Sequence, residues 1–238
     1  MTEPVARMLG LATRELVAFT GAGGKSTLMM RLGDELARAG MRVLVTTTTK
    51  MGREQFEGLP AVCRSHEPSA VQAATASNYL VGLVTGGDDH KATGPPPGVV
   101  DELFAAVSID YLLVEADGAH GLSLKAPGAH EPVIPAATTT VVVLMGVDAV
   151  GGRIVDVAHR PEQAAALTGL GIGDRLAVED CVAVLTHEHG GLQGVPGNAR
   201  VVVALTKTGS LSADRVAAQI EEALSAHQRI SRVVIVPV

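Results

Sequence analysis

The chain has 238 residues, a formal net charge of −6 and 47% hydrophobic residues, yet only 2% aromatics. That length suits one α/β domain with a sizeable core. The acidic balance and the shortage of stacking rings argue against a nucleic-acid-binding surface. No apolar run approaches a membrane span, and no signal-peptide pattern opens the chain, so no membrane contact and a cytoplasmic location are expected. Cys63 and Cys181 provide no disulfide framework, which fits a reducing compartment.

Residues 1–14 read as a lead-in, helical around Val5 to Leu11. Glu15 to Phe19 is the first predicted strand, then comes Thr20-Gly21-Ala22-Gly23-Gly24-Lys25-Ser26-Thr27. A helix from Ser26 to about Ala39 follows, with Leu28, Leu32 and Leu36 on one stripe, and Gly40 stops it. Met41 to Val45 is a second strand, ending in Thr46-Thr47-Thr48-Thr49-Lys50. A helix is predicted from Ser69 to Ser77 and a strand from Tyr79 to Val84. The glycine- and proline-rich stretch 85–98 reads as an irregular surface loop.

A helix from Val100 to Val107 leads to strand Tyr111 to Glu115, and Thr140 to Met145 is a further buried strand. Residues 151–197 read as a mostly helical insertion, with helices after Pro161 and from Glu179 to Thr186. Strand Arg200 to Leu205, helix Ser212 to His227 and strand Val233 to Val236 close the chain. The alternation predicts an α/β fold: one three-layer αβα domain over residues 1–238, with a mostly parallel central sheet.

Strand, glycine-rich turn, Lys-Ser-Thr and helix together make a phosphate cradle. Glycines let backbone N–H groups turn toward an anion, and a helix N-terminus adds unpaired donors and positive potential. Lys25 can reach outer phosphates, and the Ser26 hydroxyl can ligate Mg²⁺. The cradle is Gly21, Ala22, Gly23, Gly24 and Lys25 with Ser26 and Thr27 at the helix start. Gly21 and Gly24 have two residues between them, against four in the common phosphate-loop pattern. The bland alternative is a glycine-rich turn whose lysine is simply exposed.

In an open α/β sheet, ligands sit beyond the carboxyl ends of the strands. Thr48 and Lys50 occupy one such end, where a hydroxyl and a cation suit a γ-phosphate. Glu115 and Asp117 share another, on one face by the period of two. Like charges so close call for a cation between them or a retained proton, which points to Mg²⁺ with Asp117, Glu115 and Ser26. Lys125, His130, Glu131, His159 and Arg160 lie in irregular segments that can form a substrate loop or plain surface. Thr206-Lys207-Thr208-Gly209 stands where phosphate-loop GTPases grip guanine, but Gly209 replaces the aspartate that reads the base.

These residues together resemble the YqeC family, known as selenium-dependent molybdenum hydroxylase accessory proteins. The likeness rests on Gly21–Thr27, Thr46–Met51, Glu115-Ala116-Asp117-Gly118-Ala119 and Leu124-Lys125-Ala126-Pro127. It continues through His130–Pro135, His159-Arg160-Pro161, Gly190-Gly191-Leu192 and Val195-Pro196, covering nearly the whole chain. The resemblance implies a phosphate-loop NTPase related to metallochaperone GTPases, acting with Mg²⁺ and ATP or GTP. It implies a part in maturing the cofactor site of a molybdenum hydroxylase, the expected partner. Lys25, Lys50, Glu115 and Asp117 are the candidate catalytic residues. Gly21 to Thr27, Thr48, Thr206 and Lys207 are the candidate nucleotide-binding residues. Two other readings stand beside it: an ATP-dependent small-molecule kinase or ligase, since the short loop is similar to that of Mur-type ligases, and a non-catalytic nucleotide-binding carrier.

Overall fold

In the computed structural model, which describes residues 3–237, the phosphate-loop candidate follows the strand that sits near the middle of the sheet. The first two residues of the expected lead-in lie outside that range. The chain runs through α1 (Val5–Leu9), β1 (Glu15–Gly21), α2 (Lys25–Arg38), β2 (Val43–Thr47), β3 (Lys50–Gly52) and α3 (Glu54–Glu57). Next come β4 (Ala61–Cys63), α4 (Pro68–Ser77), β5 (Leu80–Leu83), β6 (Gly86–Gly87), β7 (Lys91–Thr93) and α5 (Pro97–Ala106). They are followed by β8 (Tyr111–Glu115), β9 (Leu124–Lys125), β10 (Thr140–Gly146), a short 3₁₀ turn at Val147–Ala149 and α6 (Ile154–Val157). Last are β11 (Ala158–His159), α7 (Pro161–Thr168), α8 (Val178–Thr186), β12 (Arg200–Thr206), α9 (Leu211–Leu224) and β13 (Arg232–Ile235).

The main sheet has eight strands in the order β13-β12-β10-β1-β8-β2-β5-β4, all parallel. Parallel strands need helical crossovers, so both faces are covered and the strands carry unbroken apolar runs. Val17, Phe19, Val45, Leu113, Val142 and Leu144 meet Leu28, Met29, Leu32 and Leu36 of α2 on one face. The opposite face packs in two blocks. Leu16, Leu44, Leu112 and Val114 meet Val71 of α4 and Val100 and Leu103 of α5. Val141, Val143, Val201 and Val203 meet Val184 of α8 and Ile220 and Leu224 of α9. The result is the three-layer αβα architecture expected from the alternation. Residues 151–197 add no strand to the main sheet; their β11 pairs only with β9.

Helix ends follow the chain chemistry. Gly40 takes φ 82° after α2, the left-handed position that a glycine fills without strain. Ser210 caps α9 by accepting a hydrogen bond from the Ala213 N–H at 3.2 Å.

The stretch 85–98 corrects a sequence-based expectation. It is not irregular throughout: β6 and β7 form an antiparallel hairpin that pairs with β3 into a separate three-stranded sheet. Asp88 makes the turn, its Oδ1 accepting from the His90 and Lys91 N–H groups at 2.9 and 2.7 Å. Gly87 supplies the φ of 123° beside it. No helix among the described residues is long and apolar enough to cross a membrane.

Candidate functional site

β1 delivers the loop at the switch point of the sheet, where the strand order turns back, with β8 on one side and β10 on the other. The loop is pressed tightly into place. Gly21 has φ 86° and a Cβ there would lie 2.3 Å from Leu144 O; at Gly23, φ 94°, it would lie 2.4 Å from Gly146 N. Only glycine tolerates either position.

The loop amides divide into two groups. Gly21 N–H donates to Asp117 Oδ2 (3.1 Å), Ala22 N–H to Leu144 O and Gly23 N–H to Leu122 O (both 2.9 Å). Among the described residues, the N–H groups of Gly24, Lys25, Ser26 and Thr27 have no acceptor. The free donors are therefore fewer than the glycine run suggests. They lie on the first turn of α2, a helix of 14 residues whose N-terminal dipole favours negative charge.

Lys25 folds back over this turn. Its Nζ donates to Gly21 O at 2.7 Å and lies 3.1 Å from Asp117 Oδ1. Ser26 Oγ donates to Glu115 Oε2 at 2.6 Å. The two carboxylates at the end of β8 thus have different surroundings. Burial pushes the Glu115 carboxyl above its ordinary range, offset in part by Lys25 and the Ser26 hydrogen bond. Asp117, equally buried, is instead pinned between cations.

The second cation is Lys125, whose Nζ lies 3.2 Å from Asp117 Oδ2 and 2.8 Å from Glu131 Oε2 and donates to Gly118 O. Arg160 completes the row at 2.9 Å from Glu131 Oε1. Burial raises the Glu131 carboxyl, but Lys125 and Arg160 outweigh it and bring it down to about 2. An alternating chain of charge therefore runs Lys25, Asp117, Lys125, Glu131, Arg160. It joins the loop to the start of α7, across the small β9–β11 ladder that pairs His159 with Lys125. His120 stacks on His159, rings 4.9 Å apart, and burial followed by the Lys125 and Arg160 charges keeps the His159 imidazole below its ordinary pKa.

A cleft of about 750 Å³ opens over the first turn of α2. Gly23 to Ser26 floor it, Thr49 to Gly52 with Lys91 form one wall, and Gly118 to Leu122 with Glu115 and Glu131 form the other. The remaining candidates lie as follows. Lys50 faces the cleft. Thr48 turns away, its hydroxyl donating to Val133 O at 2.6 Å. Thr206 is wholly buried beneath the loop and donates to Gly23 O at 2.5 Å, so it braces the loop from below. Lys207, at φ 57°, reaches Ser123 Oγ (2.6 Å) and Asp148 Oδ2 (3.1 Å). Thr27 is exposed on the first turn of α2. Sequence reasoning missed Lys91 and His120; the alternation Lys91-Ala92-Thr93 after an Asp-turn was the available signal for the first. His187 is half-buried and His189 exposed just past α8, and neither lines this cleft.

Fold and site together define a three-layer αβα protein with a glycine–lysine loop at the switch point of a parallel sheet. The family model described as YqeC protein matches residues 17–162, which include the loop, both carboxylates, Lys125, Glu131 and Arg160. The chain is also 32% identical over 208 residues to "Uncharacterized protein YqeC" of Escherichia coli (strain K12), covering 85% of this chain and 80% of that protein. The chain belongs to the YqeC family.

Proposed function

We propose that this protein binds a nucleoside triphosphate, ATP or GTP, with Mg²⁺ on the first turn of α2 and hydrolyses it. The observation that carries the reading is the four free amides of Gly24 to Thr27 beneath an ammonium, Lys25, at the end of a central parallel strand. The β- and γ-phosphates lie against those amides, and Lys25 swings from Asp117 to the outer oxygens. Lys125 remains beside Asp117 when Lys25 leaves.

The residues fit Mg²⁺. A hydroxyl and a carboxylate stand side by side at Ser26 and Glu115. A site of few protein ligands suits an ion that keeps its waters and takes phosphate oxygens. Ser26 and Glu115 would hold the ion, which would supply positive charge against that developing on the transferred phosphoryl group, while Glu115 or Asp117 would orient the attacking water. Lys50, on the facing wall, adds positive charge near the γ-phosphate. Thr206 and Lys207 border the nucleoside end, Thr206 through the loop it supports. Thr48 acts only through the backbone it ties to Glu115.

By its family, the reading extends to maturation of the cofactor site of a molybdenum hydroxylase in the cytoplasm, with that enzyme or its maturation proteins as partner. Residues 151–197 are an insertion within one domain in this reading. A second reading, a kinase or ligase, is favoured by the reach of the cleft beyond the loop toward β3 and β7. A panel of ATP, GTP and CTP, with and without Mg²⁺, followed by thermal shift and phosphate release, tests the proposal. A Mg²⁺-dependent rise in Tm with release of phosphate supports it. No shift with any triphosphate refutes it, and a shift without release leaves a nucleotide-binding carrier.

A further inference from the structure

The cleft is longer than its phosphate floor. Beyond Lys25 and Ser26 it continues to the three-stranded sheet, whose strands β3 and β7 place Lys50 opposite Thr93, Met51 opposite Ala92 and Gly52 opposite Lys91. Met51 and Ala92 are buried, at 2% and 0% exposure, so alternation along each strand sends Lys50 and Lys91 to the other face, toward the cleft. They are diagonal neighbours on that face, a spacing that side chains of this length span readily.

The scaffold beneath them is tightly seated. At Gly94, just past β7, an added Cβ would lie 1.9 Å from Thr47 O, so this end of the hairpin sits directly on the end of β2. Among the described residues neither Lys50 nor Lys91 forms an ion pair. The other cleft charges are largely answered already. Lys25 has Asp117, Glu115 has Ser26, and Glu131 has Lys125 and Arg160. Two ammonium groups then face the single unanswered carboxylate of Glu54. Lys91 and Glu115 line the same cleft, on opposite walls of the first turn of α2. Across the cleft, His120 lines the opposite wall, with φ 51° and its ring stacked on His159.

We propose that this outer half of the cleft is a second binding site, taking a small molecule that carries an oxyanion, held by Lys50 and Lys91 with His120 opposite. The proposal rests on the nucleotide reading of the loop and deepens it: the oxyanion-bearing molecule is the partner substrate or effector beside the γ-phosphate. Lys91 is its diagnostic residue, because among the described residues its side chain makes no hydrogen bond or ion pair with the loop, Ser26 or Glu115.

The test is equilibrium dialysis of radiolabelled inorganic phosphate against the full chain, in wild type, Lys91→Gln and Lys25→Met. Wild type and Lys91→Gln, each with saturating non-hydrolysable ATP or GTP analogue and Mg²⁺, repeat the measurement with the loop blocked, and the effect of Lys91→Gln is read in that state. Phosphate bound to Lys25→Met or to the blocked wild type, and weakened about tenfold by Lys91→Gln, supports the second site. Absence of phosphate once the loop is blocked or disabled, or binding that Lys91→Gln leaves unchanged, overturns it. Analogue binding to wild type and its loss in Lys25→Met are scored separately, so failure of the nucleotide reading is told apart from failure of the second site.

Discussion

The Lys25 ammonium lies 3.1 Å from the Asp117 carboxylate, with both side chains almost wholly buried. A pair so enclosed would strand one charge if either partner left alone. Lys125, 3.2 Å from the other carboxylate oxygen, removes that penalty and leaves Lys25 free to serve a ligand.

Lys25→Ala is expected to weaken triphosphate binding by at least about 30-fold, the loss of one charged partner. Its far-UV circular dichroism and cooperative melting should persist, since Lys125 still neutralises Asp117. Calorimetric titration beside a thermal melt checks both. Unchanged affinity in a folded variant would remove the nucleotide assignment.

Lys125→Met should be more damaging to the fold than Lys25→Ala. It removes an ammonium shared by two carboxylates, leaving Asp117 with Lys25 alone and Glu131 with Arg160 alone, and the lost charged contacts cost about 1–3 kcal/mol. Lys125→Met/Asp117→Asn should recover part of that loss in urea unfolding, because the buried carboxylate that lost one of its two cations is gone. Equal stability of the single and double variants would show that Asp117 does not need Lys125.

Glu131 and Glu115 respond to pH in opposite senses. Glu131 titrates at about 2 in the folded protein, below the ordinary 4.5, so its contribution is complete above about 4.5 and disappears as pH falls toward 2. Glu131→Gln should therefore be less stable than wild type at neutral pH, the gap closing through that acid window.

Glu115 is raised above 4.5, so ionising it costs stability as pH rises through the folded value. Glu115→Gln should be more stable than wild type at neutral pH, with the gain shrinking as pH drops toward 4.5. The same variant should lose Mg²⁺-dependent enhancement of nucleotide binding. A Glu115→Gln protein with no stability gain would contradict the burial penalty.

Gly23→Ala sets a φ of 94° against a side chain and drives its methyl to 2.4 Å from Gly146 N. The overpacking is expected to cost about 1–3 kcal/mol. It should also displace the start of α2 enough to abolish triphosphate binding, read by the same titration. Retained binding would mean that the loop position is not set by its contact with β10.

Much of this was legible in the sequence. The strands β1, β8, β10 and β12 announce themselves as apolar runs, and Gly-Gly-Lys-Ser-Thr marks the end of β1. Local pattern does not reveal which amides of the loop stay free, because the acceptors of the others, Asp117 Oδ2, Leu122 O and Leu144 O, are far along the chain. The β6–β7 hairpin was hidden by its glycines, which are needed for its turn and close packing but read as loop. Thr48 and Thr206 show the same limit. Each hydroxyl stands at a strand end where ligands gather, and each is consumed by a backbone carbonyl that only the tertiary fold brings near.

The place of β1 between β8 and β10 has a consequence for synthesis and truncation. The loop is complete in sequence within the first 27 residues, yet its walls arrive only with Asp117, Leu122 and Leu144. Such long-range closure is slow relative to local helix formation. Until β10 has docked, the glycines have nothing to be shaped against, and the start of α2 is an ordinary frayed helix end. A fragment ending before residue 140 should carry the whole motif and bind no triphosphate, so binding would report assembly of both halves of the sheet.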